Sequence, residues 1–168
     1  MKLSKRTRYG FRLMVELAKS FEKGPLSIKE IAARQNISDK YLEQIIMHLK
    51  TVGPVTAVRG PKGGYMLSLP PSQITLKSLF DIFEGPCGIV ECVQNPSECK
   101  RADACLSRKL WVTLEEKISE TLSSTTLEDL IAGDPADLIP LKSGPCKNAK
   151  FINRSRKRVT GGESETLP

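Results

Sequence analysis

Aromatic side chains make up only 5% of this 168-residue chain, and it has a single histidine, His48. No apolar run approaches the roughly 20 residues that a membrane-spanning helix needs. The N-terminal stretch has no signal-peptide core either, because Arg12, Glu16 and Lys19 interrupt it. A cytoplasmic protein with no membrane partner is therefore expected. The shortage of histidine also bears on catalysis. His48 has no Ser or Cys beside it in a strained turn, and no pair of carboxylates stands out from the solvated helix faces. An enzyme is not expected. Internal repeats are missing too. The hydrophobic share of 39% allows a small core and leaves some apolar surface to be buried between subunits. By length the chain is one domain with a tail.

Positive charge is plentiful but unevenly placed. The net charge is +7. Residues 1–70 hold 13 Lys/Arg against 5 Asp/Glu, residues 71–132 hold 6 against 10, and residues 133–168 hold 7 against 4. The excess lies on the first segment, where a nucleic-acid-binding surface would use it for phosphate contacts.

Residues 26–69 organise that segment. Ser27 and Glu30 fit a capping box, in which the hydroxyl takes an orphan backbone N–H and the carboxylate reaches back to the cap. Leu26 and Ile31 sit where a hydrophobic staple lies. A second helix start follows at Ser38, with Ile37 and Leu42 as its staple. In the second helix Leu42, Ile45, Ile46, Leu49 and Val52 form a buried stripe. At about 100° per residue the far face carries Lys40, Gln44, Met47 and Thr51, flanked by Glu43 and His48. Long polar side chains on such a face suit base edges in a major groove; the plainer alternative is a solvated amphipathic face.

Gly53-Pro54 ends that helix. Two strands are expected next, Val55-Thr56-Ala57-Val58 and Tyr65-Met66-Leu67-Ser68-Leu69, joined by Arg59-Gly60-Pro61-Lys62-Gly63-Gly64. The glycines permit positive φ and close backbone approach, and Arg59 and Lys62 put charge at the tip. This hairpin is a wing of the size that enters a minor groove. It opens no helix and lacks a Gly-Lys-Ser/Thr ending, so a nucleotide cradle is not expected.

Upstream, residues 8–21 are predicted to form a helix with Leu13, Met14, Leu17, Ala18 and Phe21 along one face, preceded by the basic lead-in Lys2, Lys5, Arg6 and Arg8. Residues 1–70 then make a winged helix-turn-helix in a mostly α protein. After Pro70-Pro71, the residues Leu76, Leu79, Phe80 and Phe83 mark a further helix ending at Gly85-Pro86. Residues 86–106 are expected to be a loop. From Ser107 the residues Leu110, Trp111, Leu114, Ile118 and Leu122 recur at near-heptad spacing, which predicts a long helix that pairs with its twin in a homodimer. Thr126 caps a last short helix with Leu127, Leu130 and Ile131. Linker helix, loop and dimerisation helix thus occupy residues 71–132. Residues 133–168, with the basic run Arg154-Ser155-Arg156-Lys157-Arg158, are expected to be a disordered basic tail.

The loop holds Cys87, Cys92, Cys99 and Cys105, spaced C-x4-C-x6-C-x5-C; the fifth cysteine, Cys146, lies in the tail. Clustered thiols in a cytoplasmic chain point to metal or redox chemistry, and thiolates suit iron–sulfur clusters or zinc. The spacing favours zinc only weakly, because only Cys87–Cys92 approaches a knuckle spacing and no matching second pair follows. These cysteines also sit among Glu91, Asn95, Lys100 and Asp103, where inert packing thiols would not be expected.

Four segments together carry a resemblance: KLSKRTRYG at the start, ISDKYLEQI in the second helix of the pair, VRGPKGGY in the wing, and ECV…C…RADAC…LW in the loop. Over about residues 1–132 the chain resembles the dimeric winged-helix repressors of bacteria that include IscR, NsrR and CymR. The resemblance to members with three loop cysteines implies a [2Fe–2S] or [4Fe–4S] cluster held by Cys92, Cys99 and Cys105. It also implies DNA contacts in the recognition helix and wing, where the expected set is Lys5, Ser38, Lys40, Tyr41, Glu43, Gln44, Arg59, Lys62 and Gly63. IscR-like proteins draw the fourth ligand from a histidine three residues beyond the last cysteine, where this chain has Arg108. NsrR-like proteins use an aspartate in the first helix, where this chain has Arg8. Cys87, Glu91, a water or an external thiol stay open as replacements.

The reading expected from the residues and the resemblance together is a repressor of near-palindromic double-stranded DNA, governed by an iron–sulfur cluster. The same fold without a cluster, using a thiol switch or a partner enzyme as CymR does, is the alternative. A zinc-stabilised module binding RNA or protein is a third.

Overall fold

The computed structural model describes residues 3–133. Cys146, the basic run 154–158 and the tail expected at 133–168 lie outside the described residues, apart from Gly133 itself. The described chain runs α1 (Lys5–Lys19), α2 (Ile28–Gln35), α3 (Asp39–Val52), β1 (Val55–Val58), β2 (Gly64–Leu67), α4 (Leu76–Glu84), α5 (Glu91–Gln94), α6 (Leu106–Ser124) and α7 (Leu127–Ala132). Short 3₁₀ turns at Pro71–Gln73 and Pro96–Glu98 join them. The protein is mostly helical with one small antiparallel hairpin, as the sequence leads one to expect.

Local signals set most helix ends. Ser4 Oγ accepts from the Thr7 amide at 3.1 Å, so α1 starts at Lys5 and not at the expected residue 8. Ser27 and Glu30 form the anticipated capping box, with the Ser27 amide donating to Glu30 Oε2 at 2.8 Å. That exchange holds the Glu30 carboxylate below its ordinary pKa, through the Ser27 hydroxyl and then the Ser27 amide. Asn36, at φ 51°, closes α2 in the left-handed region that short polar side chains tolerate. Gly53, at φ 115°, does the same for α3.

The core is built by α1, α2 and α3. Leu13, Met14 and Leu17 meet Ile31, Leu42, Ile45, Ile46 and Leu49, all essentially inaccessible. Ile74, Leu79 and Leu127 join the same cluster, so residues 1–70 and 71–132 share one core. Val52, expected in the α3 stripe, is 51% exposed. It lies at the edge of the stripe, one residue before the chain turns away at Gly53.

Polar contacts around the buried Glu16 carboxylate orient α2 on α1. Glu16 accepts from Gln35 Nε2 at 2.8 Å and from Arg34 at 3.3 Å, while Arg12 Nε donates to the Gln35 side chain at 2.7 Å. In the wing, Val55 pairs with Leu67 and Val58 with Gly64. The Leu26 and Tyr65 amides and carbonyls exchange bonds of 2.9 and 2.8 Å, docking the hairpin on the start of α2. Gly64 is required there, because a Cβ would sit 2.4 Å from the Leu26 carbonyl oxygen.

The segment expected as a plain loop contains α5 and a 3₁₀ turn. Both are too short to leave a periodic signal. Beyond it, α6 packs against α4 and α5, yet none of its residues is buried. The chain then returns: Leu76 donates to the Thr125 carbonyl at 2.9 Å and Leu127 to that of Ile74 at 2.8 Å, which seats α7 on α1.

Candidate nucleic-acid interface and cysteine loop

The outer face of α3 presents Lys40, Glu43, Gln44, Met47 and Thr51 to solvent, with Met47 at 68% exposure. Ser38 occupies the N-cap position, but its hydroxyl makes no capping bond to the helix. Tyr41 is half-buried, its ring edge-on to Tyr9 with centroids 5.7 Å apart. Tyr41 and Gln44 also line a shallow pocket of about 240 Å³ with Ile45 and Arg6. Arg6 was expected only as part of the basic lead-in, for phosphate contacts; its place beside Gln44 comes from the packing of α1 across α3. Lys5 is exposed on the first turn of α1.

Arg59 and Lys62 are exposed at the wing tip, where Gly60 adopts φ 122° and its carbonyl accepts from the Gly63 amide at 2.9 Å. Lys50 Nζ stands 6.0 Å from the Tyr65 ring centroid, which ties the end of α3 to the wing. The assembly offers cationic and amide side chains along one helix and a cationic hairpin after it. His48, expected to flank the exposed face, is half-buried and bonded to α4.

The cysteine loop leads into α6. Cys92, Cys99 and Cys105 are half-exposed and unpaired as disulfides. Cys92 lies in α5, Cys99 closes the second 3₁₀ turn, and Cys105 is the N-cap residue of α6. Arg108, which stands where IscR-like proteins carry a histidine, donates through Nε to the Cys92 carbonyl at 2.8 Å and pins α5 to α6. Cys87, the candidate fourth ligand, is only 5% exposed. Burial, and secondarily the Glu115 carboxylate, push its thiol pKa up, which works against the thiolate a ligand must be. Three soft thiols in one loop suit an iron–sulfur cluster or zinc by chemistry. By arrangement they do not fit in this conformation: among the described residues, no three His, Cys, Asp or Glu side chains are grouped to hold a metal ion.

A family model described as "Rrf2: Iron-dependent Transcriptional regulator" matches residues 3–133. The chain belongs to the Rrf2 family of transcriptional regulators. The HTH-type transcriptional regulator CymR of Bacillus subtilis is 41% identical over 130 residues, covering 77% of this chain and 89% of CymR. The solved structure of that protein, the global cysteine regulator, superposes with a TM-score of 0.69 over 80% of this chain and 99% of its own, at 39% identity. IscR of T. potens superposes with a TM-score of 0.64 at 31% identity, covering 86% and 93%. An oxidized form of Staphylococcus aureus CymR gives 0.64 at 35% identity, covering 80% and 98%. These relatives are named as regulators, not enzymes. Family membership also favours transcriptional regulation over the zinc-stabilised RNA- or protein-binding module. No helix of the described residues is long and apolar enough to cross a membrane.

Proposed function

We propose that this Rrf2-family chain is a homodimeric repressor that reads a near-palindromic operator with α3 and the wing, its affinity set by the state of Cys92, Cys99 and Cys105. An iron–sulfur cluster on these three would need the loop to draw together thiols that are not grouped in this conformation. One observation carries the reading: a polar, solvent-facing α3 beside a cationic wing tip occurs in the same chain as three free, half-exposed thiols in the segment that leads into an unburied α6. Two copies joined along α6 would set their α3 helices in successive major grooves about one helical turn apart, roughly 34–36 Å, with Arg59 in the flanking minor grooves. A bound cluster would supply a centre sensitive to iron–sulfur supply, oxidants and nitric oxide. The chain's own residues would turn loop rearrangement at the base of α6 into altered half-site spacing. Protein purified without oxygen is expected to be coloured, to contain iron and acid-labile sulfide, and to bleach when Cys92, Cys99 or Cys105 is changed to Ala. Colourless protein carrying zinc would remove the cluster mechanism.

A second reading keeps the repressor and replaces the cluster with a thiol–disulfide switch or an enzyme partner. The ungrouped thiols and the likeness to CymR, one relative of which is solved in an oxidized form, favour it. Its signature is an operator affinity that changes with a disulfide found by peptide mapping, in protein free of iron and sulfide.

A further inference from the structure

Three consecutive residues at the end of α4 each grip an element of the DNA-reading face. The Ile82 carbonyl accepts from His48 Nε2 on α3 at 3.0 Å. A carbonyl can only accept, so Nε2 carries the proton. In a continuing helix this carbonyl would take the amide of residue 86, but Pro86 has none, so α3 supplies the missing donor. Phe83 stacks obliquely on the His48 ring, with centroids 6.3 Å apart, and fills the groove at Gly10 of α1. A Cβ on Gly10 would fall 2.2 Å from the Phe83 ring. Glu84 Oε1 accepts from the Ser4 amide at 2.8 Å and from the Thr7 hydroxyl, at the N-terminus of α1. Gly85 then turns the chain at φ 81°, and Cys87 begins the cysteine loop.

Surface packing alone would leave these contacts scattered. Here they fall on one helical turn, face both α1 and α3, and lie immediately before the loop. The N-terminus of α1 and the middle of α3 are therefore held by the same short piece of backbone that leads into the cysteine loop.

We propose that residues 82–84 are the joint through which the state of the cysteine loop reaches the DNA-reading helices of its own subunit, with His48 and Glu84 as positioning residues. A second route, through α6 to the other subunit, is not needed for this one. The inference rests on the sensing role given above to the loop, but it concerns mechanical coupling and can be read without DNA.

The test uses the full chain with Cys146→Ser, so that iodoacetamide modifies loop thiols. Amide hydrogen exchange is followed in α1 and α3 before and after alkylation, in this parent and in His48→Ala, His48→Gln and Glu84→Ala. Alkylation is expected to speed exchange in α3 of the parent by about fivefold or more, a change typical of local opening. His48→Ala should reduce that response to less than about twofold, and His48→Gln, which keeps a side-chain N–H donor, should restore it. Glu84→Ala should do the same to the response in the first turn of α1. A parent whose α3 ignores alkylation would overturn the joint, as would an undiminished response in both Ala variants. Operator affinity measured on the same samples separates the two claims. If exchange responds and affinity does not, the sensing role fails while the joint stands.

Discussion

Arg59 and Lys62 stand exposed on the hairpin, where the DNA-binding role proposed above would set their charge against phosphates. Lys62→Ala is expected to weaken binding to all duplexes alike and to lower the salt dependence by about one released counterion. Arg59→Ala, at a proposed minor-groove position, should add a loss on the operator that random duplex does not show. Gln44 is different in kind. An amide on the outer face of α3 can pair with a base edge, so Gln44→Ala should cost about 1–3 kcal/mol on the operator and little on random duplex. Fluorescence anisotropy across a salt series separates the two behaviours. Equal losses on both duplexes for Gln44→Ala would remove it from base reading. Cys87 supports a prediction of another sort: buried and with a raised pKa, it should be alkylated at neutral pH more slowly than Cys92, Cys99 and Cys105, as mass spectrometry of a timed reaction would show.

At the scale of elements, the end of α4 is where charge and packing meet. Glu84 has its pKa lowered from the ordinary 4.5, chiefly by the Thr7 hydroxyl and then by the Ser4 amide. A lowered folded-state pKa gives stability that is present above 4.5 and lost as pH falls through the depressed value. Glu84→Gln should therefore be less stable than the parent near neutral pH, and the two should converge on acidification in urea titrations at several pH values. Inside the core, Leu42→Ala on α3 should cost about 2–5 kcal/mol, since its side chain is wholly buried in the shared apolar cluster. The ends at Ser27 and Gly53 were legible because each residue acts on the nearest turn of backbone, whereas the Ser4 cap, which starts α1 three residues before the expected position, and the Asn36 cap were not read from the sequence. The composition of the cysteine segment was legible, but its α5 and its 3₁₀ turn were not, since four residues and three residues carry no period.

For the whole molecule, the telling feature is a 19-residue helix with nothing buried. Leu106, Leu110 and Leu114 are 79%, 54% and 41% exposed and fall one helical turn apart along α6. A row of this kind is the ordinary mark of an association surface. Leu110→Lys is expected to give a monomer in sedimentation velocity and to abolish high-affinity operator binding, while weak non-specific binding persists. A dimer that survives the change would move the interface elsewhere.

The chain's pattern of caps, apolar stripes and glycines determined a winged helix-turn-helix, its charged face and the presence of a thiol-bearing segment, because each of these rests on residues within a turn or two of one another. What it left undecided depends on residues far apart in sequence. His48 was assigned to the exposed flank of α3, yet it donates to Ile82, and Arg6 joins Gln44 only where α1 crosses α3. Cys87 reads like its three neighbours in sequence, yet the fold buries it and leaves them half-exposed. Burial, partner and protonation are properties of the space between elements, and only the packed fold fixes that space.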